Sequence, residues 1–233
     1  MQNTQPFQKP SYPKILLRVY IFYLLLIICV FLLAGHLDYW QGWLFTSILI
    51  ALVISVSIFF TDKKDLLQER FHPGPGIKSW DKIFFRIYLL ISACIFVISA
   101  LDTGRFNWSP PLPLFVYIIA YVILLLSIFV IFWAMGVNKF FSSRVRIQTD
   151  RGHYVIQNGP YRFVRHPGYL AGIFTLISLP LAFGSLFGLI PACMAIVSLI
   201  IRTAMEDKFL RDELPGYSDY ARKVRFRLFP SLW

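Results

Sequence analysis

Residues 153–169, HYVIQNGPYRFVRHPGY, join an extended stretch and an Asn-Gly-Pro turn to an Arg-His-Pro triplet at the mouth of a long apolar run. Proline is favoured in the first turn of a helix, so the triplet predicts a helix starting at Pro167. Such a start directs free backbone N–H groups and a partial positive charge outward, and Arg165 and His166 stand beside it. This is the chemistry of an anion or nucleoside site. The same residues at the edge of a bilayer would equally serve as anchors among phospholipid headgroups, and composition alone leaves the two readings even. A second constellation, RTAMEDKF, sets Arg202 and Glu206 four apart on one helix face. Arg before Glu is the weaker order for a helical ion pair. Arg202 also follows Ile201 at a membrane boundary, where an ionisable group is a functional candidate. The tail ELPGYSDYARKVRFRLFP adds Tyr217 and Tyr220, followed by basic residues; it either closes over a site or lies on anionic lipid. In contrast, HPGPGIKSWDK, residues 72–82, reads as a structural glycine-proline turn between spans.

The elements that must position these groups are set by composition. The chain has 233 residues, 57% hydrophobic and 15% charged, with a mean hydropathy of +0.62. Soluble domains carry about 25% charged residues, so this chain is built for lipid. Its net charge of +11 would suit nucleic acid only if it formed a basic face on a soluble fold. Here the basic residues lie between apolar runs, which excludes a nucleic-acid partner and suits membrane orientation. Cys29, Cys94 and Cys193 fall inside apolar runs and read as small hydrophobes, and the four histidines lack metal-ligand spacing. No dinucleotide or phosphate-loop glycine motif, HExxH or GxSxG is present. The polar N-terminus and the length of the first apolar run point to a retained span and not a removable signal peptide.

Four stretches, Ile15–Gly35, Trp43–Phe60, Ile83–Leu101 and Leu112–Met135, are long enough to cross a hydrocarbon core of about 30 Å. Two shorter runs, Tyr169–Phe183 and Leu186–Ile201, are separated by Gly184-Ser185 and predict a tight helical hairpin that spans or nearly spans the membrane. The expected fold is therefore all-α: a polytopic membrane protein with four spans, a C-terminal hairpin and a short cytoplasmic C-terminal helix, or five to six membrane segments in all. We expect one integral-membrane domain over residues 1–233, with a four-span part (1–135) and a motif, hairpin and tail part (136–233). Basic and bare loops alternate. The N-terminal arm carries Lys9, Lys14 and Arg18, and the loops Thr61–Lys82 and Gly136–Gly168 and the C-terminal tail are likewise basic. GHLDYWQG has no Lys or Arg, and DTGRFNWSPP has only Arg105, with Trp40, Trp43 and Trp108 flanking them. That alternation predicts both termini on the cytoplasmic side of a bacterial inner membrane or an endoplasmic reticulum.

Four blocks in order, GPYRFVRHPGYLAGIF (159–174), an apolar hairpin, RTAMED (202–207) and PGYSDYARKVRFRLFP (215–230), resemble the integral-membrane methyltransferases that include isoprenylcysteine carboxyl methyltransferase and the phospholipid N-methyltransferases. The resemblance implies a cytoplasm-facing S-adenosylmethionine pocket joined to a lipid-facing tunnel for a lipophilic methyl acceptor. It implies cofactor contacts at His153, Tyr154, Val155, Ile156, Tyr161, His166, Pro167, Gly168, Tyr169 and Glu206. Arg165, His166 and the helix start would hold the cofactor carboxylate. Arg202 matches the family arginine near the acceptor carboxylate, which makes it the catalytic candidate. A further glutamine contact of the family falls at Gln148 or Arg146, and the family's paired glutamates appear here as Glu206-Asp207. A carboxylate acceptor needs no general base, so an arginine facing it favours carboxyl O-methylation of an isoprenylcysteine-like substrate. Alternatives are phospholipid N-methylation, an NADPH-dependent sterol or steroid reductase, and a non-enzymatic scaffold that binds lipid through its basic loops. The reductases show HPNYxGE where this chain has HPGYLAGI, so Gly168 in place of the Asn counts against them.

Overall fold

In hydrocarbon, every backbone N–H and C=O must be satisfied within its own segment, so long apolar runs fold as helices. The computed structural model describes residues 10–233; Lys9 of the basic N-terminal arm lies outside them. In chain order the helices are α1 (Tyr12–Ala34), α2 (Trp40–Phe59), α3 (Lys64–Phe71), α4 (Ser79–Ala100), α5 (Leu114–Val137), α6 (Pro167–Phe183), α7 (Leu189–Glu213) and α8 (Tyr217–Lys223). A π-helical turn, Leu101–Phe106, prolongs α4. The architecture is the all-α, polytopic membrane fold expected, and no strand occurs among the described residues. Residues 153–156 are neither helix nor strand.

Five helices are long and apolar enough to cross a membrane: α1, α2, α4 with its extension, α5 and α7. In the first four, only 17–22% of the apolar window is buried inside the protein. Such exposed apolar surface would aggregate in water and is the natural outer face of an integral membrane protein. The hairpin is less symmetrical than expected. With 17 residues, α6 reaches about 26 Å, short of the hydrocarbon core. In turn α7 runs past the apolar stretch to Glu213, with Arg202 and Asp207 buried and paired and Lys208, Arg211, Asp212 and Glu213 exposed. The hairpin turn depends on Gly184, which adopts φ +80° and ends α6; a Cβ there would lie 2.4 Å from Tyr117 Oη.

Helix α6 packs along α5, and α7 packs against α4 and α6. Phe45, Ile95, Leu176, Phe183 and Leu199 fill the space between them. The bare loops meet at one end of the bundle: Asp102 accepts from Ser109 Oγ (2.6 Å) and Ser185 Oγ (2.5 Å), and His36 Nε2 lies 2.8 Å from Gly104 O. The basic loops meet at the other. There Ser143 Oγ donates to Arg70 O (2.6 Å), Lys78 N to Val145 O (3.3 Å) and Arg165 N to Phe226 O (3.0 Å).

Candidate functional site

The continuation of α7 past Ile201 carries Arg202, Glu206 and Asp207 into the basic end of the bundle. Asp207 is fully buried. It receives a two-pronged fork from Arg165 (Nε 2.6 Å, Nη2 3.1 Å), single bonds from Arg211 Nε and Arg227 Nε (both 3.0 Å), and the hydroxyl of Tyr217 (3.0 Å). His166 Nε2 lies 3.3 Å from the same carboxylate. Arg165 Nη1 also donates to Val224 O and Arg225 O, both at 2.7 Å. Backbone bonds from Arg165 N to Phe226 O and from His166 N to Arg227 O run alongside. A buried carboxylate is tolerated only when paired and hydrogen-bonded like this, and here the pairing ties the Arg-His-Pro segment, α7 and the tail together. Arg165 was expected to face a ligand anion. Instead, four of its N–H groups are turned into the protein, while its side chain still borders the cavity beside it. His166 directs Nε2 inward and stacks on Tyr169, with ring centroids 5.7 Å apart. Its Nδ1 has no hydrogen bond among the described residues.

That cavity has a volume of about 300 Å³ and is bordered by His153 to Ile156, Tyr161, Arg165 to Tyr169, Arg202, Glu206, Tyr217 and Tyr220, but not by Asp207. The segment 153–156 forms one side. Burial, with the cations of Arg146 and Arg151, pushes His153 down to about 4, so its ring is neutral at physiological pH. Its Nδ1 accepts from Gln148 N (3.2 Å), leaving the proton on Nε2. Tyr154 meets Phe140 edge-on, with centroids 5.2 Å apart, while Val155 and Ile156 pack with Leu210 in an apolar cluster. Tyr161 is held from two directions. Asn138 Nδ2 donates to its hydroxyl (2.9 Å), and Tyr220 donates to its carbonyl (2.7 Å). Pro167 and Gly168 open α6 at the cavity edge, where a Cβ on Gly168 would fall 2.6 Å from the Phe141 ring. Tyr169 donates its hydroxyl to Glu206. Of the two candidates for the family glutamine, Gln148 donates to Phe140 O (2.7 Å) and Arg146 forks onto Glu69, and both border the cavity.

Arg202 enters from the apolar side. Its Nη2 lies 2.8 Å from Asp81 Oδ1 and 2.9 Å from Ser143 O, while its Nε is buried without a partner. Its guanidinium carbon stands 5.4 Å from the Tyr169 ring centroid. The sequence reading missed what holds it. Asp81, fully buried at the start of α4, belongs to the segment read as a structural turn, and its Oδ2 accepts from Val145 N (3.0 Å). Upstream, Glu69 forks with Arg146 at 2.8 and 2.9 Å, and a Cβ on Gly74 would come 2.8 Å from that guanidinium. Arg70 borders the cavity as well. The connection between α2 and α4 is thus a wall of the site. The available clue was ionisable residues, Glu69, Arg70 and Asp81, set against apolar spans.

Residues 116–212 match the model of the Isoprenylcysteine carboxyl methyltransferase (ICMT) family. No curated protein matches the chain. The matched segment runs from α5 into the last turn of α7 and includes Arg202, Glu206 and Asp207, whereas Glu69, Arg70, Asp81 and α8 lie outside it. Residues 116–212, which carry the cavity residues from His153 to Tyr169 together with Arg202 and Glu206, are thus similar to the isoprenylcysteine carboxyl methyltransferase family, while the cavity residues Tyr217 and Tyr220 lie beyond the match.

Proposed function

We propose that the protein transfers the methyl group of S-adenosylmethionine to the carboxylate of a lipid-like, isoprenylcysteine-type acceptor, with both termini and the cavity on the cytoplasmic side. The observation that carries this reading is the pairing of Glu206 and Arg202 on adjacent turns of α7. They bring opposite charges to one cavity whose remaining walls are part polar and part apolar.

The residues present suit such a donor. Adenosylmethionine presents an aromatic base, ribose hydroxyls, an ammonium, a carboxylate and a sulfonium. Against these the cavity offers the Glu206 carboxylate, the unbonded His166 Nδ1, the Phe140, Phe141 and Tyr154 rings, and the apolar Val155, Ile156 and Leu210. Two buried guanidinium atoms without partners, Arg202 Nε and Arg70 Nη1, point to polar ligand atoms not supplied by the chain. When bound, the donor supplies a methyl group already activated by the positive sulfonium.

The side chains do the positioning. Tyr169 fixes the Glu206 carboxylate, which accepts from an ammonium or a ribose hydroxyl. Asp81 and Ser143 O hold one edge of Arg202, and its free Nε then orients the acceptor carboxylate. A carboxylate arrives deprotonated, so no residue has to remove a proton. Phe85, Tyr88, Ile131 and Leu199, from α4, α5 and α7, face the apolar body of the acceptor. Tyr217 and Tyr220 of α8, both buried, help exclude water, so the rate gain comes from alignment in a dry site.

Calorimetric titration of the detergent-purified chain tests the donor assignment. Adenosylmethionine and adenosylhomocysteine are expected to bind with one-to-one stoichiometry, and NADPH to give no heat beyond dilution. Binding of NADPH with neither adenosyl compound would replace this reading with the reductase one.

A further inference from the structure

The three buried arginines at this end of the bundle are all paired, and a fourth, half-buried one is not. Arg146 pairs with Glu69, Arg165 with Asp207 and Arg202 with Asp81. Arg70, in the last turn of α3, makes no side-chain hydrogen bond or ion pair among the described residues, and its Nη1 is buried without an acceptor. The nearest carboxylate in sequence, Glu69, is turned onto Arg146. One face of Arg70 is covered by the Phe141 ring, with the guanidinium carbon 5.1 Å from its centroid. A guanidinium nitrogen buried without an acceptor is costly, so Nη1 held this way signals a missing anion. Burial lowers Arg70 to about 10, which still leaves it charged at neutral pH. It sits within electrostatic reach of Tyr161, Tyr169 and Arg202, and so it faces the same cavity.

We propose that Arg70 is a second carboxylate-binding group of this cavity, beside the free Nε of Arg202. Its planar fork matches two carboxylate oxygens, and Arg202, already paired with Asp81, cannot provide a second free fork. The carboxylate comes either from the amino-acid end of the methyl donor or from the lipid acceptor. The proposal rests on reading the cavity as the donor and acceptor site, but Arg70 itself stands outside the family-matched segment.

The test uses the full-length chain and its Arg70→Gln and Arg70→Lys variants. Each is titrated with adenosylhomocysteine and with the analogue that lacks only its carboxylate, and then assayed against a prenylated cysteine acid. If the donor supplies the carboxylate, Arg70→Gln weakens adenosylhomocysteine by about 10- to 100-fold and leaves the decarboxylated analogue unaffected, since a charge-assisted pair is worth that much. If the acceptor supplies it, both analogues bind as to the native chain and the KM for the acid rises by a similar factor. In either case Arg70→Lys falls between, and Arg70→Gln melts close to native because Arg70 has no hydrogen-bonding or ionic partner to lose among the described residues. Native behaviour of Arg70→Gln in all three assays would overturn the proposal. So would equal weakening of both analogues with a lowered melting temperature, the mark of a structural role. Failure of the native chain to bind either adenosyl compound would give a different signal and would overturn the donor reading itself.

Discussion

Asp207→Asn is expected to detach the tail from the helix pair and lower stability by about 3–5 kcal/mol, the usual cost of removing one partner from a buried ion pair. Asparagine is nearly isosteric and retains one acceptor, but it leaves the Arg165 fork, Arg211 and Arg227 without a counter-charge. The loss should appear as a lower thermal midpoint in detergent and as faster tryptic cleavage at Arg222, Lys223 and Arg225, which the docked tail protects. Because Arg165 and Asp207 are both buried, moderate salt should not mimic the substitution. A variant that melts like the native chain with its tail still protected would show that the network is decoration and not the clamp of the site.

Glu206→Gln should act in the opposite way, on binding and not on folding. Glu206 is only half buried, and its partner among the described residues is the Tyr169 hydroxyl, which a glutamine oxygen can still accept. The melting temperature should therefore hold. Loss of the negative charge facing an ammonium or ribose should weaken adenosylhomocysteine by about 10- to 100-fold, in line with a charge-assisted hydrogen bond. The expected signature is a change in donor affinity with the acceptor KM unchanged; the reverse pattern would remove Glu206 from the donor side. Arg202 cannot be probed so simply. Arg202→Ala strands Asp81, which is fully buried, so its effect on turnover has to be read beside Asp81→Asn and the double variant.

How much of this was legible in the sequence depends on the range of the interaction. Spans α1, α2, α4 and α5 were visible because an apolar run of bilayer length has few alternatives to a helix. The continuation of α7 through Arg202 and Glu206 was legible too, but the partners of its charges were not. Charges at Arg202, Glu206 and Asp207 resemble a helix emerging into water, but Arg202 and Asp207 are buried against partners distant in sequence. Arg165 to Pro167, with Arg202 and Glu206, were legible because helix-start chemistry and helical spacing are local, whereas His153 to Ile156 and Tyr161 came only with the family resemblance. Arg165 shows the limit of local reading. A cation at a helix start looks like an anion site until Asp207, 42 residues further on, appears beside it. Arg146 and Glu69, 77 residues apart, have no local spacing that would reveal them, and Asp81 and Arg70 were hidden in a segment whose prolines and glycines read as a turn.

The central claim is methyl transfer to a lipid-borne carboxylate, and one labelling experiment tests it. The purified chain is incubated in lipid vesicles with adenosylmethionine carrying a labelled methyl group and a prenylated cysteine acid as acceptor, and the extracted lipid is treated with base. The account predicts labelled lipid whose label is released by base as volatile methanol, as from a methyl ester. Label that resists base and resides on phospholipid amines, or no transfer at all, would contradict it.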